Sequence, residues 1–241
     1  MSYISIEGNI GAGKSTLVTI LKEILSNTTS NNYAFVQEPV DEWLNLTDSD
    51  GKNILDKFYS DQKSWSYKFQ MNAFITRLKR LQNSLSKHEL TICERTVETD
   101  RNCFAQQLLE DGKISELEWK LYDQWFLWLT SDNKHLKPIG TIYLRTEPDK
   151  CLERINKRDR TEESSIPIEY LQSIHEKHDK WLLNSKSENV LVLNGNIEFQ
   201  NDKKRMEYII RTITDFLQVI LKNQNSTKLN SDYNQYNEYN N

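Results

Sequence analysis

Apolar and polar positions along this chain switch repeatedly between two periods. The segment Tyr3-Ile4-Ser5-Ile6-Glu7 is short, β-branched and bounded by Gly8, which predicts a strand. The apolar set that follows, Leu17, Ile20, Leu21, Ile24 and Leu25, has helical spacing. Ala34 to Gln37 predicts a second strand, closed by Glu38-Pro39 because a residue before proline is driven to extended backbone. Leu90–Cys93, Thr141–Leu144 and Val190–Leu193 predict three more. A long helix is predicted over 64–86, with further helices over about 98–109, 115–130, 148–157, 167–184 and 203–221. Strand and helix alternate throughout, so the expected fold class is α/β, a mainly parallel sheet with helices on both faces.

With 241 residues, 37% of them hydrophobic, one sizeable core can form without disulfide or metal staples. The 31 basic and 35 acidic residues leave a net charge of −4, so no global positive field invites a nucleic-acid polymer or an anionic membrane. The three cysteines, Cys93, Cys103 and Cys151, are odd in number and far apart, which argues against a disulfide framework or a zinc site. His175 and His178 lack an indicated carboxylate or thiol partner for a metal. No apolar run reaches membrane-spanning length, and the first strand begins too early to leave room for a leader, so a soluble cytoplasmic protein is expected. Residues 223–241 differ from the rest: seven Asn and one aliphatic residue, Leu229, predict a disordered tail, leaving a domain over 1–222.

Gly8-Asn9-Ile10-Gly11-Ala12-Gly13-Lys14-Ser15 fits the phosphate-binding pattern G-x-x-x-x-G-K-[ST], with a strand before it and a helix after. Such a loop turns backbone N–H groups toward phosphate oxygens at the positive end of a helix, with Lys14 reaching the β- and γ-phosphates and Ser15 placed to ligate Mg²⁺. Three of only seven glycines in the chain fall within the six residues from Gly8 to Gly13. A cradle of this kind does not by itself name a reaction.

The run from Ile4 through Thr16 resembles the opening of the deoxynucleoside kinases, in particular their deoxycytidine/deoxyguanosine kinase branch. Four further blocks agree in order and spacing: Glu38-Pro39-Val40 with Trp43, Trp65 to Gln70, Glu94-Arg95-Thr96-Val97 with Asp100-Arg101, and Arg158 to Glu163 followed by Ile166-Pro167. Together they cover about residues 2–221. The resemblance implies a P-loop kinase fold with a five-stranded parallel sheet, an arginine-rich lid and usually a homodimer. It implies ATP or another nucleoside triphosphate as phosphate donor, Mg²⁺ as cofactor, and a deoxynucleoside as acceptor in salvage.

Residue by residue, it makes Glu38 the general base at the 5′-hydroxyl, with Arg95 holding both, and gives Glu94 the orientation of Mg²⁺ through water. Arg154, Arg158 and Arg160 belong to phosphate stabilisation, beside the loop residues through Thr16. Glu163 and Tyr59 belong to the sugar, at the 3′-hydroxyl and under C2′. Position 159 is Asp where relatives often carry Gly.

Gln70 would read the base, although an amide satisfies either donor–acceptor order. Asp100, pinned by Arg77, would accept from the exocyclic amino group of cytosine or adenine and repel the thymine O4, while Arg77 fills space the thymine methyl needs. Trp43, Phe58, Phe69 and Phe104 would wall the pocket. On the predicted helix over 115–130, Trp119, Leu121, Tyr122, Trp125, Phe126, Trp128 and Leu129 occupy more circumference than one core face covers, which suits a dimer interface. Two other readings remain open at this stage, a nucleoside monophosphate kinase and a non-catalytic accessory protein of the same fold.

Overall fold

The computed structural model describes residues 1–28, 33–131, 133–158, 160–163, 165–184 and 189–239, with side chains at 27, 28, 134 and 225–239 excepted. Asp159 lies outside the described residues. Contacts divide the chain into two compact units, Met1–Ile197 and Glu198–Asn241.

In the first unit, β1 (Ser2–Glu7), β2 (Tyr33–Val36), β3 (Leu90–Glu94), β4 (Gly140–Arg145) and β5 (Val190–Asn194) form one sheet in the order β2-β3-β1-β4-β5. Every pairing is parallel. The inner strands are buried almost end to end, as a sheet covered by helices on both faces requires. Even their polar members pair inside the sheet: the Ser5 and Thr141 hydroxyls stand 3.0 Å apart across β1 and β4.

The helices are α1 (Lys14–Thr28), α2 (Val40–Asn45), α3 (Ile54–Ser60), α4 (Gln62–Leu85), α5 (Val97–Thr99), α6 (Gln106–Glu110), α7 (Glu116–Thr130), α8 (Pro148–Arg158) and α9 (Ile168–Leu182). Local chemistry sets several of their starts. Asn53 and Asp56 form a reciprocal cap at α3, Ser115 and Glu118 do the same at α7, and Asp61 accepts from Ser64 N–H at α4. Pro148 occupies the first position of α8, where its missing N–H costs nothing.

One predicted helix departs from regularity. Residues Asp100–Ala105, between α5 and α6, wind as a π-helical turn, a widened geometry that often marks functional sites. The short α2 and α3 were not foreseen, because six or seven residues carry too little periodicity to register.

The second unit holds α10 (Lys203–Tyr239), whose Ile209, Ile213, Leu217 and Ile220 are buried at helical spacing. The helix continues beyond residue 222, into the Asn-rich segment. No Gly or Pro occurs after Ile197 to stop it.

With β1 central and successive strands added on either side of it, the order reverses beside β1. In open α/β sheets, ligands bind at such a switch point, outside the carboxyl ends of the strands. The phosphate loop follows β1, Glu38 follows β2, and Glu94-Arg95 closes β3, all at that edge.

Candidate active site

The phosphate loop joins β1 to α1 through backbone that other residues would not adopt. Gly8 and Gly11 have φ of 148° and 75°, and a Cβ on either would lie 2.6 Å from the Leu144 carbonyl oxygen or 2.5 Å from that of Cys151. Both positions therefore require glycine. Asn9 fixes the loop to α9 by donating from Nδ2 to the Leu171 carbonyl at 2.8 Å, while its Oδ1 accepts from Ile10 N–H. Lys14 is buried and its Nζ donates to the Asn9 carbonyl at 2.8 Å. Burial, helped by the nearby Arg95 charge, lowers the Lys14 ammonium to about 8. Arg154 reaches the same loop, donating from Nη1 to the Ala12 carbonyl at 3.0 Å.

Beside the loop, a chain of charges links four elements. Arg95 Nη1 donates to both Glu38 carboxylate oxygens at 2.7 Å each. Arg77, from α4, donates through Nη2 to Glu38 Oε1 at 2.5 Å and through Nη1 to both Asp100 oxygens at 2.5 and 2.6 Å. Burial works to raise the Glu38 carboxyl, but the Arg95 and Arg77 guanidiniums and the Lys14 ammonium overcome it and hold it well below the usual carboxylate range. Asp100 goes the other way: burial pushes it up to about 6, against the pull of Arg77. It is still ionised at neutral pH.

Glu94 Oε1 accepts the Ser15 hydroxyl at 2.9 Å, while its Oε2 is buried without a hydrogen-bond partner. One carboxylate and one hydroxyl next to a phosphate loop fit magnesium, which prefers few protein ligands plus substrate phosphates. Among the described residues there is no cluster of three or more His, Cys, Asp or Glu side chains able to hold a metal by themselves. His175 is engaged with Arg145 and Asp179, and His178 with the Ile174 carbonyl.

Of the expected pocket walls, Trp43, Phe58 and Phe69 come together. Phe69 meets Trp43 edge-on at 5.2 Å and stacks on Phe58 at 4.6 Å. Gln70 is buried next to Phe69 on α4, with Oε1 unpartnered. Tyr59 contacts Phe58 at 4.9 Å. Phe104 stands apart from that row: it packs with Cys103 and Ile174, and the Arg95 guanidinium lies over its ring at 4.8 Å.

In the lid, Glu163 is buried and accepts from both Arg158 and Arg160, the latter at 2.6 Å. The family resemblance implies phosphate for the two arginines and sugar for the glutamate, and in the fold all three join. Neighbouring Glu162 accepts from Asn53 Nδ2 at 3.0 Å, which ties the lid to the start of α3.

The deoxynucleoside kinase model matches residues 4–218, nearly the whole chain. The chain belongs to the deoxynucleoside kinase family. Within it, a probable deoxycytidine kinase of fowlpox virus is 41% identical over 89% of this chain and 87% of its own. Deoxycytidine kinase 2 of Gallus gallus is 38% identical, covering 89% of each chain. The mitochondrial deoxyguanosine kinase of Xenopus laevis is 35% identical over 83% of each. As a deoxynucleoside kinase, the chain is an enzyme of ATP-dependent phosphoryl transfer, on the P-loop fold seen above. No helix among its described residues is long and apolar enough to cross a membrane.

Two residues at this site received no role from the sequence. Glu7 and Thr99 meet at 2.6 Å in the interior. The available signal was an acidic residue ending an otherwise apolar strand.

Proposed function

We propose that this kinase transfers the γ-phosphoryl group of ATP, or of another nucleoside triphosphate, to the 5′-hydroxyl of deoxycytidine or a purine deoxynucleoside and refuses thymidine. The observation that carries this reading is the unbroken charge chain Arg95–Glu38–Arg77–Asp100 beside the phosphate loop. Its two ends do different work.

At one end, Glu38 takes the proton of the 5′-hydroxyl and Arg95 keeps it in line. A carboxylate held by two guanidiniums is a weak base, which suits a loose transition state in which the hydroxyl loses its proton late. Positioning and charge stabilisation then carry most of the rate. The phosphate loop from Gly8 to Thr16 cradles the donor, with Arg154, Arg158 and Arg160 on the transferring group. Ser15 and Glu94 would hold Mg²⁺, which supplies charge neutralisation across the donor phosphates. The lid arginines are paired with Glu163, so donor and sugar binding must redistribute these bonds.

At the other end, Asp100 presents acceptor oxygens only and is pinned by Arg77. Gln70, whose Oε1 has no partner, meets the base between the Trp43–Phe69–Phe58 row and Phe104. Tyr59 and Glu163 face the sugar. We assign catalysis to residues 1–222 and none of it to 223–241.

The exposed apolar face of α7, with Leu117, Trp125, Leu127 and Trp128 each 46 to 68% exposed, supports a homodimer. A competition assay offering all four deoxynucleosides with ATP and Mg²⁺ tests the reading: deoxycytidine or a purine deoxynucleoside should be consumed first and thymidine last. Preferred consumption of thymidine overturns it.

A further inference from the structure

Glu7 ends β1 immediately before the phosphate loop and is fully enclosed. Burial pushes its carboxyl up to about 7, against the Thr99 hydrogen bond and the charges of Arg95, Arg77 and Lys14. Its Oε2 accepts the Thr99 hydroxyl at 2.6 Å, while Oε1 is buried without a hydrogen-bond partner. A half-satisfied buried carboxyl is costly. An apolar residue would pack this strand end better, so stability does not account for Glu7.

What Thr99 does next supplies an account. Its Oγ1 also accepts Thr96 N–H at 3.1 Å, and its own N–H donates to Thr96 Oγ1 at 3.3 Å. This reciprocal cap fixes the turn Thr96–Thr99. Arg95 precedes the turn with φ of 61°, and Asp100 follows it. Glu7 is thus bonded to a short rigid piece that carries a residue of the acceptor site at each end.

We propose that Glu7 is a positioning residue for phosphoryl transfer: from the end of β1 it holds Thr99, and through the Thr96–Thr99 turn it sets where Arg95 and Asp100 stand relative to the phosphate loop. The charged groups around it are Arg95 after β3, Arg77 on α4 and Lys14 on α1. The nearby thiols of Cys93 and Cys103 and the phenols of Tyr3 and Tyr143 are all shifted up by burial and stay neutral. Loosening Thr99 frees the turn that carries Arg95 and Asp100, the acceptor-side residues, while the phosphate loop that holds the donor keeps its own bonds. Glu7 therefore governs turnover more than donor binding.

The inference rests on the acceptor-site reading above, and the two fail separately. The test is steady-state kinetics of the full chain, with ATP, Mg²⁺ and the best of the four deoxynucleosides, for Glu7→Gln, Thr99→Val, Thr99→Ser and the double variant Glu7→Gln/Thr99→Val. Melting temperature is recorded beside each. Gln keeps the shape but replaces the carboxylate acceptor of the Thr99 hydroxyl by a weaker, neutral amide, and so loosens the link. It should lower kcat about tenfold and leave the KM for ATP within about twofold. Thr99→Val should lose a similar amount and Thr99→Ser should recover it. The double variant should be no worse than the poorer single, since both act on the same link. A merely structural Glu7 would move the melting temperature and leave the kcat of folded protein alone. Should Glu7→Gln not fold, the Thr99 pair carries the same test. Wild-type turnover in folded Glu7→Gln, a Thr99→Ser as slow as Thr99→Val, or losses that add in the double variant would each overturn the proposal. If Glu38→Gln is slow while Glu7→Gln is normal, the acceptor-site reading stands and this one falls.

Discussion

Arg95 holds both oxygens of Glu38 from a single nitrogen, Nη1, at 2.7 Å each, and does so from a left-handed backbone with φ of 61°. That conformation costs a residue other than glycine about 1 kcal/mol. The Arg95 N–H recovers part of the cost by donating to the Ile6 carbonyl at 3.0 Å, which continues the β1–β3 pairing by one more bond. Strain of this kind persists where surrounding structure over-determines it, commonly at catalytic sites. Here it lets the residue after β3 meet the residue after β2.

Glu38→Gln should therefore keep the shape of that contact and abolish proton acceptance. Turnover is expected to fall by about 10²–10⁴ with a KM for the nucleoside changed only a few-fold. Steady-state kinetics on folded protein decides it. A variant with near-normal kcat removes Glu38 from the chemistry.

Discrimination against thymidine should reside in Arg77 and Asp100 acting as a unit. Asp100→Ala strands a buried guanidinium with only Glu38, and Arg77→Met strands a buried carboxylate, so each single variant should lose activity. The double variant removes both charges and opens room for the thymine methyl. Its thymidine-to-deoxycytidine ratio of kcat/KM should rise, by as much as about 10⁴-fold where hydrogen-bonded discrimination is complete. A ratio that stays at the wild-type value places base choice elsewhere in the pocket.

The buried Glu7 carboxyl has a consequence for stability. Its folded value of about 7 stands above the ordinary 4.5, so between those values the folded state holds the proton that the unfolded state has released. Stability should then fall as pH rises from about 4.5 to 7 and level off above, by on the order of 3 kcal/mol from this group. Glu7→Gln lacks that slope. Urea titrations at several pH values should show the variant gaining on the wild type as pH rises. A wild-type-to-variant difference that is flat across this range contradicts a raised carboxyl.

On α7, Trp128 is 68% exposed and Trp125 46%, and their rings contact each other edge-on at 5.6 Å. Trp125→Glu or Trp128→Glu should convert a dimeric wild type to monomer or aggregate. Sedimentation velocity reads the outcome directly. A monomeric wild type would show that this face serves something else.

Short-range pattern determined a great deal about this protein. The five strands, the phosphate loop and the long helices were each legible because a period of two or 3.6 and a glycine turn are local properties. Glu38, Arg95 and Asp100 stand in ordered family blocks, so the sequence could single them out. Short α2 and α3, the π-helical turn at Asp100 and the course of α10 beyond residue 222 were not legible, since no local signal separates them from neighbouring alternatives. Tertiary structure alone decided who pairs with whom. Glu38 is 39 residues from Arg77 and 57 from Arg95, and Glu7 is 92 from Thr99. These meetings depend on the strand order β2-β3-β1-β4-β5, which brings distant carboxyl-terminal strand ends to one edge. Once there, the partners of each buried carboxyl rather than residue type set the charge chemistry: Glu38 sits well below the usual carboxylate range and Glu7 above it, because two guanidiniums bond directly to one while the other is enclosed with only a hydroxyl.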